Sequence, residues 1–275
     1  MNNAFLHIEK NQVLDIYHGK YIHEFRGIDL EKMIRKADQS IYSSQKYKFL
    51  IHTGDIPTQQ TTIEGVRCYS FSTINDNYSY CCPCFGFSGW PEVGFENYSN
   101  LIDSFIDTKS SNNKIGWIGN PMSTPRQLFH KHFSNTYFTE SIINEWNIND
   151  PNKIYINTKT YLNFQQQINR WKYLIDFEGA GYSGRTKILL NSPRIVFIVD
   201  RPYKEFWYEK LIPWQHFIPI KRDLSDLEEN YNKIESDIEL QRYIRQEQKQ
   251  FSKNYLQYYN AIYRFKNIIE ENIYV

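Results

Sequence analysis

The residues best suited to chemistry lie between Lys172 and Asp223, where a glycine-bearing loop runs into an arginine. The loop is Glu178-Gly179-Ala180-Gly181-Tyr182-Ser183-Gly184-Arg185. Glycine lets a backbone approach a ligand closely. A helix N-terminus offers free N–H groups and a positive dipole end to an anion, and an arginine there adds a bidentate phosphate donor. These are the parts of a diphosphate site at the carboxyl end of a strand. The spacing of Gly179, Gly181 and Gly184 does not complete a dinucleotide fingerprint, and the loop also reads as a plain strand-to-helix connector. A second segment, Gly119 to Arg126 (GNPMSTPR), has the same placement between strand and helix. Ser123 with Thr124 and Pro125 reads as a helix cap with proline in the first turn. A capped helix start is also an anion site, so both readings can hold.

The elements that must position these loops follow from hydrophobic periodicity. The spacing predicts strands at 173–177 and 195–199 around the glycine loop and its helix, and a strand at 114–118 followed by a helix over 124–133. A strand at 153–156, a helix over 159–170, a helix over 205–211 and a strand at 216–220 complete the run. Strands alternating with helices imply parallel βαβ units. Upstream, Leu30, Met33, Ile34, Ala37 and Ile41 mark a helix over 29–45, with strands at 47–52 and 66–71. Residues 75–112 read as long loops, with 110–113 as a linker. The C-terminus reads as a helix over 225–236, opened by a capping box of Ser225 and Glu228, then one helix from 237 to about 272. Tyr255, Tyr259, Ile262, Phe265, Ile269 and Ile273 form its core-facing stripe.

Composition bounds the function. A chain of 275 residues holds two domains or one large one. A net charge of +1 gives no reason to expect nucleic acid or an anionic membrane as partner. Aromatics make up 17% of the residues, which suits sugar binding, but the plentiful Asn, Ile, Lys and Tyr point more strongly to an AT-rich genome. No apolar run approaches the roughly 20 residues of a membrane span. Cys81 and Cys84 have C-x-x-C spacing, but no second Cys or His pair follows, so reduced thiols rather than a metal site are expected.

The order of the whole block resembles glycosyltransferase family 90, which includes protein O-glucosyltransferases, fungal xylosyltransferases and lipopolysaccharide-modifying enzymes. The resemblance is carried by KYLIDFEG, SGRTK, IVFIV, EFWYEKLIPWQHFIPI and DLSDL in that order. It is strongest over 114–223 and thinner before it. It implies an α/β fold of GT-B type, with two Rossmann-like domains facing a cleft and a C-terminal helix crossing back. The expected division is an acceptor-side domain at 1–112, a nucleotide-sugar domain at 113–250 and the returning helix at 251–275.

The resemblance also assigns roles. Gly119, Asn120, Ser123, Thr124 and Arg126 match one donor-site element, and Gly179, Ala180, Gly181, Ser183 and Arg185 the other. Arg126 and Arg185 would converge on the diphosphate of a UDP-sugar and neutralise charge on the leaving group. Glu205 is placed at the ribose or on a solvent-facing helix. No metal is expected, since no Asp-x-Asp lies in a suitable loop. The pattern LIHTGDIP puts the general base on Asp55, a residue that otherwise reads as an Asx-turn. Asp76 is the reserve candidate. The implied activity is an inverting transfer of glucose or xylose from a UDP-sugar to a hydroxyl of a glycan or protein acceptor. The alternative is a non-catalytic nucleotide- or glycan-binding protein; a nicotinamide enzyme is disfavoured by the incomplete fingerprint. The segment MNNAFLHIEK lacks a basic n-region and ENIYV is not a retention signal, so a cytoplasmic enzyme of a bacterium or a large DNA virus is expected.

Overall fold

A computed structural model describes residues 4–19, 24–144 and 161–274. The chain order is β1 (Phe5–Lys10), β2 (Leu14–His18), α1 (Glu24–Asp38), β3 (Lys46–His52), β4 (Thr62–Ile63), β5 (Val66–Ser70) and α2 (Tyr98–Asp103). It continues through β6 (Asn112–Gly119), α3 (Thr124–Phe133), β7 (Thr139–Ile143), α4 (Phe164–Arg170), β8 (Trp171–Asp176), α5 (Thr186–Asn191), β9 (Ile195–Val199) and β10 (Ile218–Ile220). The last elements are α6 (Leu227–Ser236), α7 (Ile238–Tyr255), α8 (Tyr258–Glu271) and β11 (Ile273–Tyr274).

Two sheets organise these elements into a mixed α/β fold. The second has the order β10-β9-β8-β6-β7, and every pair in it is parallel. Its residues alternate faces, as the two-residue period of a strand requires. Ile115, Trp117, Tyr173, Ile175, Ile195 and Phe197 face Phe129 of α3 and Ile234 of α6. Ile118, Leu174, Val196 and Ile198 face the other way, toward Leu189 of α5. Both faces are covered, which is why IVFIV is an unbroken apolar run.

The first sheet has the order β2-β1-β3-β5-β4, with β11 added against β3. It departs from the parallel, Rossmann-like arrangement expected for this half. The pairs β1–β2, β1–β3 and β4–β5 are antiparallel, and only β3–β5 is parallel. The physical reason is the short β1–β2 hairpin, which needs no crossover helix. The cluster containing Leu6, Ile8 and Phe49 of this sheet is continuous with Leu189 and Ile198 beside the second, so one apolar core joins the two halves. Residues 258–271 form α8, whose Phe265 and Ile269 lie in that same core with Leu30 and Ile34 of α1.

Several local expectations are corrected. The strand at 153–156 lies outside the described residues, and the strand paired with β6 is β7. The helix expected over 205–211 is a 3-10 turn over Phe206–Lys210. The capping box at Ser225 is not formed, because Asp226 takes the N-cap position of α6. The single helix over 237–272 is broken at Leu256 and Gln257. The break resets the helical phase, so Tyr259 is 59% exposed while Phe265 and Ile269 are buried.

Candidate active site

Strand order locates the site. From β6 the chain first adds β7 on one side, then returns past β6 to place β8 on the other. The order therefore reverses between β6 and β8. In open parallel sheets, ligands bind outside the carboxyl ends of the strands at such a switch point. The two loops there, 119–123 after β6 and 177–185 after β8, hold the residues singled out above.

The second loop is built around Asp176, the last residue of β8, which is fully buried. Its carboxylate accepts from Ser183 Oγ at 3.0 Å, Arg185 Nε at 3.0 Å, Thr186 Oγ1 at 2.6 Å and Arg201 Nη1 at 2.8 Å. Burial alone would raise this carboxyl, but Arg201 and Arg185 outweigh it and hold it below the usual carboxylate range. Arg185 also crosses the switch point, donating from Nη1 to the Ile118 carbonyl at 2.7 Å. Ser183 and Arg185 are thus held by a residue that the sequence reading missed, as are Thr186 and Arg201. The available signal was an aspartate inside the otherwise apolar strand YLIDF.

Arg126, in the first turn of α3, comes to the same place. Its guanidinium lies 5.7 Å from the Trp117 ring, and that of Arg185 lies 5.8 Å from the same ring. Arg126 is 9% exposed and donates from Nη1 to the Asn120 carbonyl at 3.1 Å. Burial and the charge on Arg185 push its pKa down to about 9. A guanidinium keeps its proton in proteins, so the shift registers a charge that lacks an anion. Two guanidiniums share one carboxylate, and a third has none in contact.

Among the described residues, four buried polar atoms here find no hydrogen-bond partner: Arg185 Nη2, Arg126 Nε, Trp117 Nε1 and Ser123 Oγ. Leaving a buried donor unsatisfied costs about 1–3 kcal/mol. A ligand carrying several anionic acceptors would relieve all four. Ser123 occupies the N-cap position of α3, but the side-chain hydrogen bond expected of a cap is not made. Thr124 opens α3, and Gly119 closes β6. Gly179 donates its N–H to the Tyr182 carbonyl at 3.3 Å, and Ala180 is exposed at the tip of the loop.

The same loop meets the other half of the molecule at Asp55. A β-carbon on Gly181 would overlap the Asp55 carbonyl oxygen, and one on Gly184 would press on the Trp90 ring at 2.6 Å. Tyr182 packs edge-on against Phe71, beyond the end of β5, at 5.9 Å. Asp55 follows β3, and its side chain is 42% exposed. Arg26 of α1 pairs with Asp55 Oδ1 at 2.9 Å, donates to the Thr53 carbonyl at 3.0 Å and lies 4.8 Å from the Phe85 ring. Nothing in the sequence pattern pointed to Arg26. Asp76 lies apart from this contact. It accepts from Tyr78 at 2.9 Å and pairs with Lys204 at 3.0 Å, which holds its carboxyl below the usual range.

Glu205 is not the solvent-facing helix residue that was one reading of it, being 1% exposed. It faces Lys187 Nζ at 3.5 Å, and that ammonium donates to Cys84 Sγ at 3.1 Å and to the Gly184 carbonyl at 2.8 Å. Burial raises the Glu205 carboxyl against the opposing pull of Lys187. The pair buttresses the glycine loop from beneath. A cavity of about 470 Å³ opens at the carboxyl ends of β9 and β10, lined by Arg201, Lys204, Tyr208, Pro219 and Arg222 among others. Among the described residues, no three His, Cys, Asp or Glu side chains are grouped to hold a metal ion. No described helix is long and apolar enough to cross a membrane.

Comparison with known proteins bears on this geometry. Protein O-glucosyltransferase 1 of Rattus norvegicus is 35% identical over 102 residues, 37% of this chain and 26% of that protein. Protein O-glucosyltransferase 3 of Homo sapiens is 40% identical over 58 residues, 21% of this chain and 11% of that protein. The O-glucosyltransferase rumi of Drosophila pseudoobscura pseudoobscura is 40% identical over 52 residues, 19% of this chain and 13% of that protein. The matched part thus spans about a quarter or less of the length of these curated relatives. The model of glycosyl transferase family 90 matches residues 20–271, nearly the whole chain, and the protein belongs to that family of glycosyltransferases.

Proposed function

We propose that this glycosyltransferase uses a UDP-sugar, with glucose or xylose as the transferred unit, and inverts the anomeric carbon. The observation that carries the reading is the set of buried, unpartnered donors on Arg126, Arg185, Trp117 and Ser123 at the switch point. A diphosphate supplies several acceptors and the two negative charges that three arginines around one carboxylate leave uncompensated. The nucleoside extends into the cavity beyond β9 and β10, and the sugar points toward Asp55.

In this reading Asp55 is the general base. Arg26 engages Oδ1, and Oδ2 takes the proton of the acceptor hydroxyl. The acceptor oxygen forms a bond to the anomeric carbon as the bond to the β-phosphate oxygen breaks. The departing UDP carries the electron pair, and Arg126 and Arg185 stabilise its charge in the role a divalent metal plays elsewhere. One displacement inverts the centre. The architecture is read as a reduced GT-B arrangement divided near residue 112, with a hydroxyl of a glycan or protein as acceptor. Four buried cysteines without disulfides favour a reducing, cytoplasmic setting. The second reading, nucleotide-sugar binding without turnover, is favoured by the Arg26–Asp55 ion pair, which competes for the base.

The test is a panel of nucleotide sugars, scored for release of the nucleoside diphosphate. UDP-glucose or UDP-xylose turnover with inversion supports the enzyme. Binding without release of UDP, in the presence of water and simple glycan acceptors, supports the second reading. Preference for a purine nucleotide overturns the donor assignment.

A further inference from the structure

A second cavity, of about 110 Å³, lies at the carboxyl ends of β3 and β5, on the side of the first sheet that carries Cys68. Its floor is Ser70 and Ser72. One wall is the segment 57–61, two residues beyond Asp55, and the other is the segment 73–80. The 57–61 wall is tied to the floor, where the Thr58 N–H donates to Ser70 Oγ at 3.2 Å.

Three observations define what would fit. First, the lining has no charged side chain; Thr58, Gln60, Ser70, Ser72, Asn75 and Asn77 are typical of it. The neighbouring cavity beyond β9 and β10 is lined by Arg201, Lys204, Lys221 and Arg222 with Asp200 and Asp226. The two share the segment 73–80, whose Tyr78 lines one and Asn77 the other, so the contrast falls across a single loop. Second, Ser72 is 2% exposed and its Oγ finds no hydrogen-bond partner among the described residues. Such a hydroxyl is costly unless a ligand or water completes it. Third, Ser70 and Ser72 flank Phe71, whose ring packs on Tyr182 of the glycine loop. The strand that forms the cavity floor therefore braces the donor loop on its opposite side.

We propose that this cavity binds one ring of a neutral carbohydrate, as a subsite for the acceptor chain beside Asp55. Side-chain amides and hydroxyls each donate and accept, which matches the paired donor–acceptor hydroxyls of a sugar. An anionic sugar would find no cation in the lining, and a peptide backbone no free strand edge in the lining segments. The inference rests on the donor and base assignments above for its catalytic meaning, but not for the binding itself.

The test uses the full-length wild-type protein with three probes: neutral maltotetraose and xylotetraose, an acidic tetragalacturonate, and an unglycosylated serine-containing peptide. Saturation-transfer NMR reads binding of each, and calorimetry with UDP reads the donor site independently. Binding of a neutral oligosaccharide is expected, weakened about two- to tenfold by Ser72→Ala, the range for one hydrogen bond. Asn75→Asp with Asn77→Asp, both at exposed positions, is expected to weaken it further. UDP affinity is expected to stay unchanged in every variant. Binding of only the acidic sugar or only the peptide, no binding of either neutral probe, or equal binding by wild type and both variants would overturn the subsite. Loss of UDP binding by the wild type would instead strike the donor reading and leave this inference standing.

Discussion

Arg126→Met separates an anion site from a merely structural buried arginine. Arg126 is 9% exposed, makes one hydrogen bond to a carbonyl and one ring contact, and leaves Nε unpartnered. Exchanging a buried charge for an apolar side chain of similar volume stabilises by about 1–4 kcal/mol. The lost Asn120 hydrogen bond and Trp117 contact put the net gain near the lower end, about 1–2 kcal/mol. At roughly 2–4 °C per kcal/mol for a chain of this size, Tm of the ligand-free protein should rise by several degrees. The sign with pH is fixed by Arg126 having its pKa lowered on folding, to about 9. The guanidinium stays protonated through neutral pH, so the penalty on its charged form is fully present there and the gain from removing it should be flat. Ligand binding should run the other way. UDP at about a hundred times its Kd stabilises the wild type by about 2.7 kcal/mol. Losing a hydrogen bond to a charged group costs about 1.5–3 kcal/mol, or 10- to 150-fold in Kd. At the same concentration the variant should then gain only about 0.3–1.4 kcal/mol. Differential scanning fluorimetry with and without UDP reads both effects. A variant less stable than wild type that keeps the full UDP shift would refute the reasoning.

Further outcomes follow from the same geometry. Asp55→Asn should lower turnover by roughly 10²–10⁴ and leave UDP affinity nearly unchanged, whereas Asp76→Asn, whose partner Lys204 holds it away from the contact, should retain most activity; steady-state kinetics with UDP calorimetry would show if the two are reversed. Gly181→Ala places a methyl on the Asp55 carbonyl, so it should reduce kcat more than it weakens UDP binding, and an unchanged kcat would mean the two loops need not touch. If Arg126 and Arg185 neutralise the leaving group as proposed, activity should survive a chelator; loss in EDTA restored by manganese would reject that.

The two loops at the switch point were legible because each of their features is local. IVFIV is a continuous apolar strand, and the glycine-rich and Ser-Thr-Pro turns mark where strands give way to helices. Arg126 and Arg185 could be named from those turns, but their meeting over Trp117 depends on β6 and β8 being neighbours, which no short window encodes. Asp176 and Arg201 escaped for the same reason, being partners 25 residues apart. β7 was missed because TESII is a short, half-polar edge strand without a turn signal of its own. The β1–β2 hairpin went unread although Leu6-His7-Ile8-Glu9 and Leu14-Asp15-Ile16 alternate apolar and polar residues at the two-residue period of a strand, a pattern each segment holds for only three or four residues. Glu205 was misjudged because its burial is created by Lys187 and Cys84, which reach it from other elements.

The most direct test of the central claim is calorimetric titration of UDP into the wild type and into Arg185→Ala. Arg185 holds both sides of the switch point, through Asp176 and the Ile118 carbonyl, and keeps Nη2 free for a ligand. Saturable one-to-one binding is expected of the wild type, with a loss of about 1.5–3 kcal/mol in the folded variant. Equal UDP affinity in the two proteins would contradict it and remove the diphosphate from the junction of β6 and β8.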